Sequence, residues 1–504
     1  MKRIRTVLFK YIAAALLILG AAACSERGQG RDAIRIGLPV APATLDPRFA
    51  TDAVSYRLVR LLHRALVDFD LAATPVADLA RWEQRSSTHY RFFINENASF
   101  NDGRTITADD VVATYRSVLD PARASPHKAS LVNIRSMSVV DPKTVDFHLE
   151  RPDLLFPGTL VIGVMSSEDA GAERSRYDMR RTSGRFEYLD TRTGGMILMR
   201  RRADGARFEF HTVKDATVRA LKIVNGELDI IQGNIPPALF NWLSSQSGVN
   251  ARHVDGATFS YLGFNLEGGP TSDHAVRRAI GHAIDRDALI EHIFRGYARR
   301  ANAIFPPEHW AGAGDLNALV YDPERARELL AEAGYGDGEI SLYYKTSSDH
   351  FRLSIATVLK SQLKSVGINL DIQSLDWGTF YGDVKNGRFQ VYSLSWVGLR
   401  LPDIFRHAFH SDALPPVGAN RGRYRQVETD RLIEAAEQTA GMEERVRLYH
   451  ALQERLLYDL PYLPLWFEDQ LLVSREEIVG YSTDLHGNFD ELEFTSKVNR
   501  VGNR

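Results

Sequence analysis

Asp403, His407 and His410 are spaced four and three residues apart, which on a helix puts all three on one face, and two imidazoles with a carboxylate suit zinc or nickel. The same residues follow Pro402 and read equally as an ordinary amphipathic turn, so no metal centre is expected of them. Asp109 and Asp110 put two carboxylates side by side, the raw material of acid–base work. Neighbours on a helix point in different directions, however. Thr107 with Asp110 three residues on resembles a capping box, so helix capping is the expected role. The glycines of 334–338 follow a helical pattern rather than a strand, which reads as a C-cap and turn and not as a phosphate loop. No GxSxG, HExxH, CxxC or Gly-Lys phosphate-loop pattern occurs, and the only cysteine is Cys24. Neither an enzyme nor a bound cofactor is expected.

The elements that would position a site are clearest at 369–409. Leu370 and Ile372 alternate with Asp371 and Gln373, the period of a strand. Trp377, Phe380, Tyr381 and Val384 then recur at helical spacing, Gly387 can end that helix, and a second strand follows at 389–395. Strand, helix and strand make a βαβ unit, and ligands of open α/β sheets sit outside the carboxyl ends of the strands. Trp396, Val397 and Gly398 stand at that edge. The indoles of Trp396 and Trp377 can be ordinary core aromatics, or flat faces on which an organic ligand is held.

The chain has 504 residues, 44% of them hydrophobic, enough for two large lobes or about three domains. Its 62 basic and 64 acidic side chains leave no global charge to attract nucleic acid, so none is expected as a partner. Lys2, Arg3, Arg5 and Lys10 precede an apolar run over 11–23, too short to cross a bilayer and suited to a secretory signal peptide. Cys24 directly follows three alanines, resembling a bacterial lipoprotein processing site; lipidation there would make it the new N-terminus. Residues 24–32 read as a polar tether.

Further along, 34–40 alternates like a strand, a helix is expected from about Ala53, a strand over 91–94, and a helix from the Thr107 box through Tyr115. Val276, Ala279, Ile280, Ala283 and Ile284 form one apolar stripe, with Arg277, Arg278 and Arg286 expected on solvated faces. Asp322, Pro323 and Gly334 supply the start and stop signals of another helix.

The runs ATLDPRF and PVADLARWEQRSSTHYRFFINENASFNDGRTITADDVVATYRSVLDPARASP resemble the opening of the solute-binding proteins of bacterial peptide ABC importers, the oligopeptide and dipeptide group of family 5. HAVRRAIGHAIDRDALIEHIFRGYA, DPERARELLAEAGY, SLDWGTF, NRGRYRQVETDRLIEAA and LPYLPLWFEDQLLV continue the resemblance to about residue 472. It is poorest over 152–205, where part of the first lobe is expected to be trimmed.

The resemblance implies an α/β periplasmic-binding-protein fold of the type II, large-cluster kind, with a ligand cleft between two lobes. The first lobe would comprise 33–262 and 471–504, with an added subdomain over about 51–150, and the second 263–470. Crossings are expected at 261–265 and 465–470. It also implies an exported, periplasmic lipoprotein, monomeric and anchored through Cys24, that delivers a peptide or peptide-like solute to an ABC permease in the inner membrane. A non-peptide solute such as an anionic compound or a metal chelate, or a sensor or chaperone role, stays open. Ligand-facing candidates carried over by motif are His127, His350, Trp377, Trp396, Val397, Leu399 and Asp403. Peptide-binding members usually place an aspartate three residues after the tryptophan of the SWVG-like motif, where it pairs with the peptide ammonium. Here that position is Leu399. Loss of one partner of such a buried pair costs of order 3–5 kcal/mol. The departure therefore implies a solute whose amine is blocked or engaged differently, or one carrying an anionic group, because the nearby Asp403 has Arg400 close by.

Overall fold

A computed structural model describes residues 33–172, 179, 181–317 and 319–498, so Cys24, the signal segment and the tether lie outside the described residues. Two groups of three parallel strands organise the chain. Ile36 of strand Ile34–Leu38 lies between Phe210 of strand Arg207–Thr212 and Ile230 of strand Ile230–Gln232. In the other group, Tyr344 of strand Ile340–Ser347 lies between Ile372 of strand Ile368–Leu375 and Val391 of strand Val391–Trp396.

Two long antiparallel strands, Val249–Phe264 and Tyr462–Arg475, join the groups into one sheet of eleven strands. Strand Tyr462–Arg475 pairs with Ile230–Gln232 through residues 472–474, strand Val249–Phe264 pairs with Val391–Trp396 through residues 259–264, and the ladder between the two long strands joins the groups. The ladder between them breaks between Val254 and Thr258, opposite Gln470 and Glu468. Segment 465–470 spans that break, whereas 261–265 lies beyond it, beside strand Val391–Trp396. Gly256 sits inside the break. A Cβ there would lie 1.8 Å from the carbonyl oxygen of Glu468, so only glycine lets the two backbones approach this closely.

Apolar spacing explains most of the helices. In helix Ala53–Leu62 the side chains of Val54, Leu58, Leu61 and Leu62 are buried on one side, and Asp52 caps the start by accepting the N–H of Ser55. Burying one such leucine is worth about 1.5–3 kcal/mol. The capping box of Thr107 and Asp110 opens helix Ala108–Leu119, which packs on a separate four-stranded antiparallel sheet through Val111, Tyr115 and Val118. Asp322, with Pro323 at the first position, opens helix Pro323–Glu332, and Gly334 follows at φ 86°. The stripe from Val276 to Ile284 is buried as its spacing predicts.

Two of the three arginines expected to be solvated are not. Arg277 donates to the carbonyls of Asp459, Thr271 and Ser272, and Arg286 to those of Ala301, Pro464 and Leu319. Both are buried. A guanidinium has five donors and can satisfy several loop carbonyls at once, which periodicity does not reveal.

Candidate functional site

The parallel strands of the second lobe end together, and the chain continues from Val391–Trp396 through loop 397–402 into helix Asp403–Phe409. Asp403 and His407, four residues apart, lie on one face of this helix and open on a cavity of about 580 Å³. The facing wall belongs to the first lobe: Thr51, Tyr56 and Arg57 at the start of helix Ala53–Leu62, with Phe69, His127 and Val161. His486 and Asn488, near the end of the chain, close one side.

This cavity gathers four of the seven residues singled out from the sequence: His127, Val397, Leu399 and Asp403. Trp396 stands just behind it, half-buried, with the Arg421 guanidinium 5.0 Å from its ring centre and His407 edge-on at 6.2 Å. Its indole N–H is buried without a hydrogen-bond partner in the structure. Trp377 and His350 do not line the cavity. Trp377 is 60% exposed and stacks on Tyr381, so the core reading of this indole does not hold. His350 is exposed at the first turn of helix His350–Lys364. Both nevertheless follow strands that end at the same edge as Trp396.

The metal-like trio separates. The ring of His410 points away into contacts with Asp412 and Glu434, leaving only Asp403 and His407 on the cavity. Elsewhere among the described residues His89, Asp146 and His148 come within 4.8 Å of one another. Arg91 takes both oxygens of that aspartate at 2.7 Å, which spends the charge a cation would need.

The electrostatics of the cavity lean positive. Asp403 is the only carboxylate on its wall among the described residues. Its side chain is open to the cavity, yet protein crowds it on both sides. That desolvation, with Asp153 and Glu437 adding repulsion, pushes its carboxyl up to about 7. Without a solute it is therefore only partly ionised near neutral pH. Arg400 is 9% exposed; its guanidinium lies 3.4 Å from Asp484 and 5.4 Å from the ring centre of Phe69, contacts that cross from one wall to the other. Arg421 stays charged and hydrogen-bonds the hydroxyls of Tyr261 and Tyr381, with no ion pair to a carboxylate among the described residues.

The imidazoles stay neutral. Burial lowers the pKa of His127, whose Nε2 lies 3.1 Å from the Ala50 carbonyl. That carbonyl can only accept, so the proton sits on Nε2 and Nδ1 is left as an acceptor. Burial, then the Arg421 charge, lowers His407, and burial with Arg400 lowers His486 to about 3. A mixed apolar and polar cleft of this volume, without a nucleophile and base in contact, can hold an organic molecule and orient it by charge.

Residues 71–411 match the family model described as bacterial extracellular solute-binding proteins, family 5 Middle. The chain belongs to this family. It is 26% identical to the dipeptide-binding protein of Escherichia coli over 493 residues, covering 88% of this chain and 90% of that one. Among solved structures it resembles the periplasmic binding protein DppA of Helicobacter pylori, solved in complex with peptide STSA, at TM-score 0.77 and 22% identity, covering 94% of this chain and 99% of that one. It also resembles NikA of Brucella suis, solved in complex with Fe(III)-EDTA, at TM-score 0.83 and 22% identity, covering 92% and 99%.

Within this family 5 chain, sequence reasoning missed Arg57, His486 and Asn488. Arg57 carried a readable signal: three residues after Val54 and four before Leu61, it interrupts the edge of an otherwise apolar stripe. The other two reach the cleft only because the end of the chain returns to it, and no local pattern announces such a return.

Proposed function

We propose that this chain is the extracytoplasmic solute-binding component of an ABC importer, taking up a peptide or peptide-like solute in the cleft and handing it to a membrane permease. The observation that carries this reading is the cleft itself: one cavity walled by both lobes, in a chain of the solute-binding family. The crossing at 255–257, opposite 468–470, would serve as the hinge about which the lobes close. Trp377 and His350, on the rim of the second lobe, would approach the solute on closure, beside Trp396, Val397, Leu399, Asp403 and His127. Leu399 lines the cavity where peptide-binding members usually carry an aspartate, and Arg400, of the wrong sign for an ammonium, lines it between Leu399 and Asp403. The solute's amine would therefore be blocked or bound elsewhere.

A second reading, an anionic or metal-chelate solute, is favoured by the same positive wall. NikA of Brucella suis was solved with Fe(III)-EDTA, a metal chelate. In either case the protein would bind without chemistry, as a monomer held to the inner or outer membrane through lipidated Cys24. Native mass spectrometry of the purified chain from residue 25 onward tests the reading. It is expected to show a retained small solute that is released unaltered on unfolding. Recovery of a chemically changed product after incubating solute with pure protein would contradict it.

A further inference from the structure

Arg57 stands out among the cationic side chains of the cleft. It lines the cavity from the first lobe, yet makes no hydrogen bond or ion pair to any described residue; its guanidinium carbon lies 5.6 Å from the ring centre of Phe489. The surroundings are shaped around it. A Cβ on Gly487 would lie 2.7 Å from Nη2 and one on Gly233 3.6 Å from Nη1, and both glycines have positive φ, 73° and 71°. Two backbone turns thus leave room for the guanidinium fork without supplying an acceptor.

The neighbouring acid is already engaged. Asp484 accepts the backbone N–H groups of His486 and Asn488 and the Asn488 side chain, and pairs with Arg400. Beside Arg57 on the cavity wall, His486 is 8% exposed with neither ring nitrogen hydrogen-bonded in the structure. A half-buried cation without a partner is costly, and desolvation lowers the pKa of Arg57 without approaching neutrality. A site of this kind is completed by an anion. The planar fork matches a carboxylate, which it can hold through two parallel N–H···O bonds, and a neutral imidazole can donate a third.

Resting on the solute-binding reading above, we propose that Arg57 recognises a carboxylate of the solute, with His486 donating to the same group, so that the cleft selects solutes carrying an acidic terminus or side chain. The wall supports this selection. Arg400 adds positive charge on the wall and Arg421 adds it behind Trp396, while Asp403 is the only carboxylate among the described wall residues. Only one group on the solute need be anionic. The remainder would lie against Phe69, Val161, Val397 and Leu399.

The test uses the purified protein, unfolded and refolded to strip retained solute, and an N-acetylated tripeptide presented as the free C-terminal acid and as the C-terminal amide. Calorimetry is expected to show the acid bound about ten- to a hundredfold more tightly than the amide. Arg57→Gln should remove most of that preference and Arg57→Lys should keep part of it, with melting temperatures of the unliganded variants confirming the fold. Equal affinity of wild type for acid and amide, or an undiminished preference in Arg57→Gln, overturns the proposal while leaving solute binding intact. As a second arm, the solute retained by unstripped wild type should bear an acidic group and be depleted in Arg57→Gln; a retained solute with no acidic group overturns the proposal as well. A wild-type protein that neither binds these peptides nor retains any solute contradicts the solute-binding reading itself, and the proposal falls with it.

Discussion

Gly256→Val should unfold at a markedly lower denaturant concentration than the wild type, with Gly256→Ala between them. Gly256 lies in the break of the ladder between the two long strands. A Cβ there would meet not only the Glu468 carbonyl oxygen at 1.8 Å but also its carbon at 2.8 Å and the Cα of Asp469 at 3.1 Å. These are backbone atoms of a strand tied into the sheet on both sides, so no side chain can swing away to relieve the clash. The strands must part, and Arg299, which donates to the Gly256 carbonyl and pairs with Glu308, is displaced with them. Forced overpacking of a dense interior typically costs about 1–3 kcal/mol. The alanine variant should sit near the lower end of that range, and the valine variant at or beyond the upper. The cost should also appear in function, since parting the strands changes the angle between the lobes. Urea denaturation followed by circular dichroism gives the midpoints. A wild-type midpoint for Gly256→Val would show that the crossing is not packed as described.

The second large effect concerns the other end of the protein. Cys24→Ser should move the mature protein from the membrane fraction to the soluble fraction after export. The prediction rests on sequence: a charged start, a short apolar run, three alanines and the only cysteine of the chain. From residue 24 onward the net charge is −6, which gives the mature chain no overall attraction to anionic lipid. Among the described residues no helix is long and apolar enough to cross a membrane. Fractionation of cells expressing both forms decides the matter, and an exported serine variant that stays with the membrane would count against lipid anchoring.

The parts of the fold that were legible in the sequence are those whose cause is local. Around residues 369–409 the alternation of Leu370 and Ile372 gave strand Ile368–Leu375. The spacing of Phe380 and Val384, both buried, gave helix Trp377–Lys385, with the Asp376 carboxylate accepting the Thr379 N–H at its start. Periodicity placed the helix but not each side chain, since Trp377 shares the spacing and still faces solvent. Of the long strand Val249–Phe264 only 261–264 was singled out, as part of an expected crossing. Its first half, NARHVDG, is polar and largely exposed, and its pairing over 250–254 is dictated by the partner strand. Arg277 and Arg286 were placed on the surface because charge is usually solvated. Here distant loop carbonyls need donors, and nothing local encodes that. For the cleft, motif resemblance reached the loop of Val397 and Leu399; Arg57 carried only the signal of a charge at the edge of an apolar stripe, and His486 reaches the cavity only because the end of the chain returns to it.

The central claim is that a solute drawn into the cleft closes the two lobes over it. Small-angle X-ray scattering of the stripped protein, titrated with the solute recovered from it, tests this most directly, with calorimetry on the same samples to establish saturation. The account predicts that the radius of gyration falls as the site fills and stops falling at one solute per chain. An unchanged scattering profile at calorimetric saturation would contradict it.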